Sequence, residues 1–184
     1  MRRALTWLLV GIGVVLCFEG GFIYGKALLA QMLLRSAWTE AAAGKARPRP
    51  WLGADTWPVA RLISAAHDVD LVVLSGADGS TTAFAPGHIP GTARPGEVGN
   101  VGLAAHRDTH FAFLEGVRIG ELLWLELPGG RARSFEVQEL RVVDSRDTSS
   151  LSAPGDLLTL VTCFPFSAPT PGGPLRYVVQ ARAL

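Results

Sequence analysis

Cysteine is nearly missing from this chain: Cys17 and Cys163 are the only two in 184 residues. No CxxC pair occurs, and no disulfide framework can be drawn. Charge is sparse as well, at 18% of residues, and balances to a formal +1. That balance leaves no electrostatic footprint for a polyanion, so no nucleic-acid partner is expected. No acidic cluster offers a calcium site. The chain has no internal repeat and no low-complexity segment.

Apolar residues are plentiful, at 48%, enough for one domain of ordinary size with a real core. Part of this lies at the N-terminus, in "MRRALTWLLVGIGVVLCFEGGFIYG". Arg2 and Arg3 precede an uncharged run from Ala4 to Phe18, and Glu19 is the one charge before Gly25. At about 1.5 Å rise per residue the stretch spans a hydrocarbon core of about 30 Å. Residues 1–25 are therefore expected to form a transmembrane anchor, with the arginines cytoplasmic and the rest exported. A cleaved signal peptide is the competing reading, but no small-x-small site follows the apolar run. "VVLC" places Leu16 where a lipoprotein signal needs a small residue. Cys17 is then inside the membrane and cannot pair with Cys163 of the same chain. Cys163 is left as a free thiol in an exported domain, which calls for an explanation.

"KALLAQMLLRSAWTEAAAGK" reads as helix, with Gln31, Arg35 and Thr39 along one face. It is expected to continue the anchor, to lie on the membrane surface or to act as a spacer. "ARPRP" ends it, because proline removes a donor and disfavours helix before it. Residues 26–50 thus form a juxtamembrane segment and linker, and a domain runs over 51–184. There, short β-type runs alternate with Gly/Pro turns: "VARLIS", "VDLVVLSG", "NVGLAAH", "LLWLELPGG", "RSFEVQELRVV", "DLLTLVTC" and "LRYVVQARA". "LPGGRARSFEV" has the form of a hairpin turning at Gly129 and Gly130. Such spacing predicts a mostly β domain, closed or nearly closed into a barrel. "DTHFAFLEGV" is expected to supply a helical turn.

Cys163 ends the run "TLVTC" and precedes the turn "FPF". From composition alone it is a packed small hydrophobe, half of a disulfide, a metal ligand or a nucleophile. A nucleophilic thiol needs help toward thiolate and a stabiliser for the oxyanion it creates. His106 closes "VGLAAH" at a strand-to-loop junction, where a side chain can face a cleft. Arg176, in "LRYVVQ", is always charged and can serve an oxyanion or a thiolate. The three residues are distant in sequence and can meet only through the fold.

"TLVTC" resembles the TLxTC signature of sortases, membrane-anchored cysteine transpeptidases. "PGEVGNVGLAAHRDTHFAFL" is similar to the segment carrying their histidine, and "GGPLRYVVQA" to the strand carrying their arginine. "APGHIPGTARPGEVGN" also resembles the family, so the likeness runs from about Trp57 to Ala183. The "HRDTHF" neighbourhood is most similar to the sortases of Gram-negative bacteria, near class D. Ala105 departs from the glycine that many relatives have before the histidine.

The resemblance implies a closed eight-stranded sortase-type β-barrel with short helices behind an N-terminal transmembrane helix. It implies a single-pass inner-membrane protein with its barrel on the periplasmic side. The expected substrate is an exported protein with a C-terminal LPxTG-like sorting signal, and the expected acceptor is an amine. By motif match, Cys163 attacks the signal to form a thioester, His106 protonates the leaving amine and deprotonates the incoming one, and Arg176 holds the oxyanion or substrate. Thr162 is implied to position substrate. An unperturbed thiol near pKa 8.5 and imidazole near about 6.5 make the thiolate–imidazolium form a minority, which predicts a slow enzyme.

Rival readings weigh the same residues differently. His106 and His110 have an i, i+4 spacing that suits zinc on a helix, but Arg107 stands where a zinc protease needs Glu. No metal and no cofactor is expected. Asp108 either orients His106 or caps the "THFAFL" turn. His88 either lines the substrate groove or is structural. Phe164 either shapes the pocket wall or packs the barrel end. "SAPTPGGP" (167–174) is expected to border the cleft as a surface loop. L,D-transpeptidases fit poorly, because Phe164 follows the cysteine where their signature is compact. A hydrolytic peptidase of the same fold, or an inactive membrane-tethered binding module, remains as an alternative.

Overall fold

The computed structural model describes Gly13, residues 25–170 and residues 172–184. The anchor expected over residues 1–25, and Cys17 with it, lies almost entirely outside the described residues. Among the described residues, no helix is long and apolar enough to cross a membrane.

Helix α1 covers residues 25–42. Eight strands follow: β1 (Pro58–Ser64), β2 (Val69–Ser75), β3 (Gly87–His88), β4 (Asn100–Ala104), β5 (Leu122–Glu126), β6 (Ala132–Asp144), β7 (Leu157–Phe164) and β8 (Leu175–Ala183). They close into one barrel in the order β1-β2-β3-β4-β7-β8-β6-β5. The pairs β2–β3 and β4–β7 are parallel, and the others are antiparallel.

The alternation in the sequence explains this closure. In "PVARLIS" every second residue is buried, because successive side chains in a strand point to opposite faces. Ala60, Leu62, Val101, Leu103, Leu123, Leu125, Phe135, Leu158, Leu160 and Val179 meet in one core inside the barrel. β5 and β6 form the expected hairpin. Gly129 and Gly130 take φ of 89° and 80°, left-handed values that cost glycine little. The helical turn expected in "DTHFAFLEGV" is a 3-10 turn at Ala112–Gly116, and it sets fully buried Phe111 and Leu114 against the core.

Seven of the eight strands coincide with the seven β-type runs of the sequence. β3 does not, because two residues between Pro86 and Pro90 carry no readable period. Its tertiary setting is tight. A Cβ on Gly87 would lie 2.1 Å from the Gly76 carbonyl oxygen.

α1 packs on the barrel. Leu34 is fully buried with Leu74 and Ala85, and Gln31 donates a 2.8 Å hydrogen bond to the Phe84 carbonyl. Helix α1 is thus held against the barrel through Leu34 and Gln31, rather than being a bare spacer.

Candidate active site

β4 and β7 run parallel, and Ala104 pairs with Val161. The ladder continues past the strand end, since the Ala105 amide donates to the Val161 carbonyl at 3.3 Å. Val101, Leu103 and Ala105 point into the core, so Ala104 and His106 belong to the outer face. On β7, Leu158 and Leu160 are core residues, which puts Val161 and Cys163 on the outer face as well. Two residues beyond the Ala104–Val161 pair, His106 and Cys163 therefore come alongside each other.

On the other flank, β8 pairs antiparallel with β7, and Cys163 stands directly opposite Arg176. Opposed residues in such a ladder point to the same face, with Cβ atoms about 5 Å apart. The three strands thus deliver imidazole, thiol and guanidinium in a row. They line one open pocket of about 160 Å³ with Ala77, Thr82 and Thr162. His106 is exposed, while Cys163 and Arg176 are half-buried. Cys163 is a free thiol.

Thr162, on the inner parity of β7, is 2% exposed and donates to the Ala105 carbonyl at 2.8 Å. This bond ties the residue before the cysteine to the residue before the histidine. The Ala105 methyl is itself packed in the core, so alanine is accommodated where many sortases have glycine.

Arg176 Nη1 donates to the Gly173 and Leu175 carbonyls, both at 2.9 Å. A guanidinium has five N–H donors, and Nε and Nη2 make no hydrogen bond among the described residues. In the sequence, Arg107 stands only where a zinc protease needs Glu. It is 5% exposed, and its Nη2 donates to the carbonyls of Ala168, at 3.0 Å, and Thr170. Arg107 thus bonds carbonyls at Ala168 and Thr170, and Arg176 bonds those at Gly173 and Leu175, along the connection between the cysteine and arginine strands. Proximity in sequence to His106 was the available signal, but burial was not legible.

His110 is half-buried beside His106 and the Ala83 backbone. Burial first, and the neighbouring His106 second, push its imidazole below the ordinary range, against a hydrogen bond to the Ala83 backbone. Across the pocket, Asp78 caps the short helix α2 (Gly79–Thr82), and its hydrogen bonds from Ser80 and Thr81 hold the carboxyl down to about 2. This fixes the turn that presents Ala77 and Thr82 to the thiol.

The other candidate residues go elsewhere. Asp108 is exposed and makes no hydrogen bond to His106 among the described residues. Phe164 stacks on Tyr177 at 6.1 Å between ring centroids, and Phe166 meets Tyr177 edge-on at 5.2 Å. Phe166 and Tyr177 pack against the core, and Phe164 is not among the residues lining the pocket. His88 lines a different cavity, with Nε2 2.9 Å from the Ala93 carbonyl oxygen. No group of three metal-ligating side chains occurs among the described residues.

Residues 63–184 match the family described as Sortase domain. The chain belongs to the sortase family. Over 99% of its length it is 24% identical to Sortase D of Bacillus subtilis (strain 168), covering 98% of that protein. Among solved structures, this sortase is similar to a Clostridium perfringens Sortase D5 transpeptidase at a TM-score of 0.67 and 20% identity, covering 85% of this chain and 98% of that one. It is also similar to sortase C-1 of Actinomyces oris, at a TM-score of 0.62 and 26% identity over 84% and 97% of the two chains. A class D-like character is consistent with these relatives. Sortases are cysteine transpeptidases, and this chain is an enzyme of that kind.

Proposed function

We propose that this sortase cleaves an LPxTG-like C-terminal sorting signal on an exported protein and transfers it to an amine. The observation that carries the reading is the row His106–Cys163–Arg176 on the outer face of β4, β7 and β8. The Cys163 thiolate attacks the carbonyl carbon of the scissile bond, and the carbonyl electron pair moves onto oxygen. The free N–H donors of Arg176 face that oxyanion, a charge present in the transition state and absent from the substrate. Collapse expels the amine, which takes its proton from His106 and leaves a thioester on Cys163. An incoming amine gives a proton to His106 and displaces the thiolate. Thr162 holds the backbone beneath the thiol, and Arg107 holds the adjoining loop.

The reading extends to location. Ala4–Gly25, with Arg2 and Arg3 before it, has the composition of a single-pass inner-membrane anchor with the barrel on the periplasmic side.

Incubation of the full chain with LPxTG-like peptides, with and without an amine, followed by intact mass spectrometry, tests the chemistry. An adduct on Cys163 and an amine-ligated product are expected. An adduct released only by water would make the protein a hydrolytic peptidase instead. No adduct with any peptide, from folded protein, would favour a binding module.

A further inference from the structure

The Cys163 pocket is not the most spacious cavity described. A larger one, of about 520 Å³, lies beside the crossover from β2 to β3. Its walls are Lys45 and Arg47 from the segment after α1, Trp57 before β1, the register pair Ser75 and His88, and Arg94 from the β3–β4 loop. Prolines, alanines and Val59 complete it, and no Asp or Glu lines it. This size and this mostly apolar wall with a few converging polar groups suit a small-molecule site.

The charges are unbalanced. Lys45 is paired with Glu40 at 2.6 Å. Arg94 has no ion pair among the described residues. Arg47 has none either, and its guanidinium carbon lies 4.8 Å from the centroid of the Trp57 ring. Among the described residues, Arg47 is one of two non-glycine residues with positive φ, at 49°. Left-handed backbone is disfavoured for a side chain of this size, yet here it directs a second unpaired arginine to the same cavity. Like charges held together in one concavity raise the local potential for an anion.

The donor set specifies the kind of anion. One carboxylate is satisfied by one guanidinium fork. Two unpaired guanidinium groups, with an ammonium and a serine hydroxyl beside them, match the several oxygens and greater charge of a phosphoryl group. We propose that this cavity binds a phosphoryl group, as a free phosphate or on a lipid headgroup. The site is separate from the thiol chemistry, since the two pockets share no lining residue. It is nevertheless close, because Ser75 lines this cavity and Ala77 lines the cleft.

The test uses the full chain in neutral detergent micelles and follows tryptophan fluorescence, which responds when Arg47 leaves Trp57. Inorganic phosphate and pyrophosphate form one arm. Short-chain phosphatidylglycerol forms the other, with phosphatidylcholine of equal chain length as control. A saturable response to pyrophosphate assigns a free phosphoryl ligand, and one to phosphatidylglycerol alone assigns a headgroup. In either case the doubly substituted Arg47→Gln/Arg94→Gln chain is expected to bind at least about tenfold more weakly, with an unchanged melting temperature because both residues are exposed. Trp57→Phe is expected to remove most of the signal. No saturable response in either arm, or equal affinity in the doubly substituted chain, would overturn the proposal.

Discussion

Cys163 and Arg176 stand opposite one another across the β7–β8 ladder, on the face turned away from the core. The pairing fixes the guanidinium beside the thiol through backbone register, so the two roles can be separated by substitution. Cys163→Ala is expected to abolish adduct formation with the fold intact. Arg176→Lys keeps the charge and loses the planar fork. We expect a loss on the order of 100-fold in kcat/KM, with a melting temperature within about 2 °C of the parent. A lysine variant as active as the parent would remove the oxyanion role from Arg176.

Arg107 couples the histidine loop to the 165–174 loop through two carbonyls. Its Nη1 is buried without a hydrogen-bond partner among the described residues. Arg107→Ala removes charge-assisted bonds from a buried guanidinium, each worth about 1.5–3 kcal/mol. A melting temperature lower by several degrees is expected, together with faster hydrogen exchange confined to residues 165–174. A variant whose loop amides exchange as in the parent would show that the loop is held by other means.

Gly87 and Gly79 make a contrasting pair. A methyl group on Gly87 would meet backbone at 2.1 Å, whereas one on Gly79 meets nothing within 4 Å. Gly87→Ala is expected to cost at least about 3 kcal/mol or to prevent folding, since backbone must move. Gly79→Ala lies in α2 and is expected to be neutral or stabilising by up to about 1 kcal/mol. Thermal unfolding of both variants decides it. Equal melting temperatures would show that β3 tolerates a shift.

The pH dependence follows from His110, whose folded imidazole is depressed by burial and by His106. The unfolded chain takes up this proton more readily than the folded one, so stability rises with pH through this window. The contribution is complete above the ordinary value of 6.5 and is lost as pH falls toward the depressed folded value. His110→Gln is expected to flatten the fall in melting temperature as the pH drops below about 6.5. An unchanged slope would assign the acid sensitivity to other groups.

Seven strands were legible because alternation is local: each buried residue two along from the last marks one face, and Gly129–Gly130 marks its own turn. The ordered motifs likewise named Cys163, His106 and Arg176, which the structure brings to one pocket. What sequence could not carry is what depends on partners far along the chain. β3 is a strand only because β2 and β4 flank it, so His88 faces away from the thiol and into another cavity. Arg107 is buried only because the 165–174 loop folds over it. α1 is amphipathic in sequence, but only the barrel surface around Leu74 decides where its apolar face goes. Local periodicity determined which residues face inward. The parallel β4–β7 register, a long-range pairing that no local pattern encodes, decided which outward residues meet.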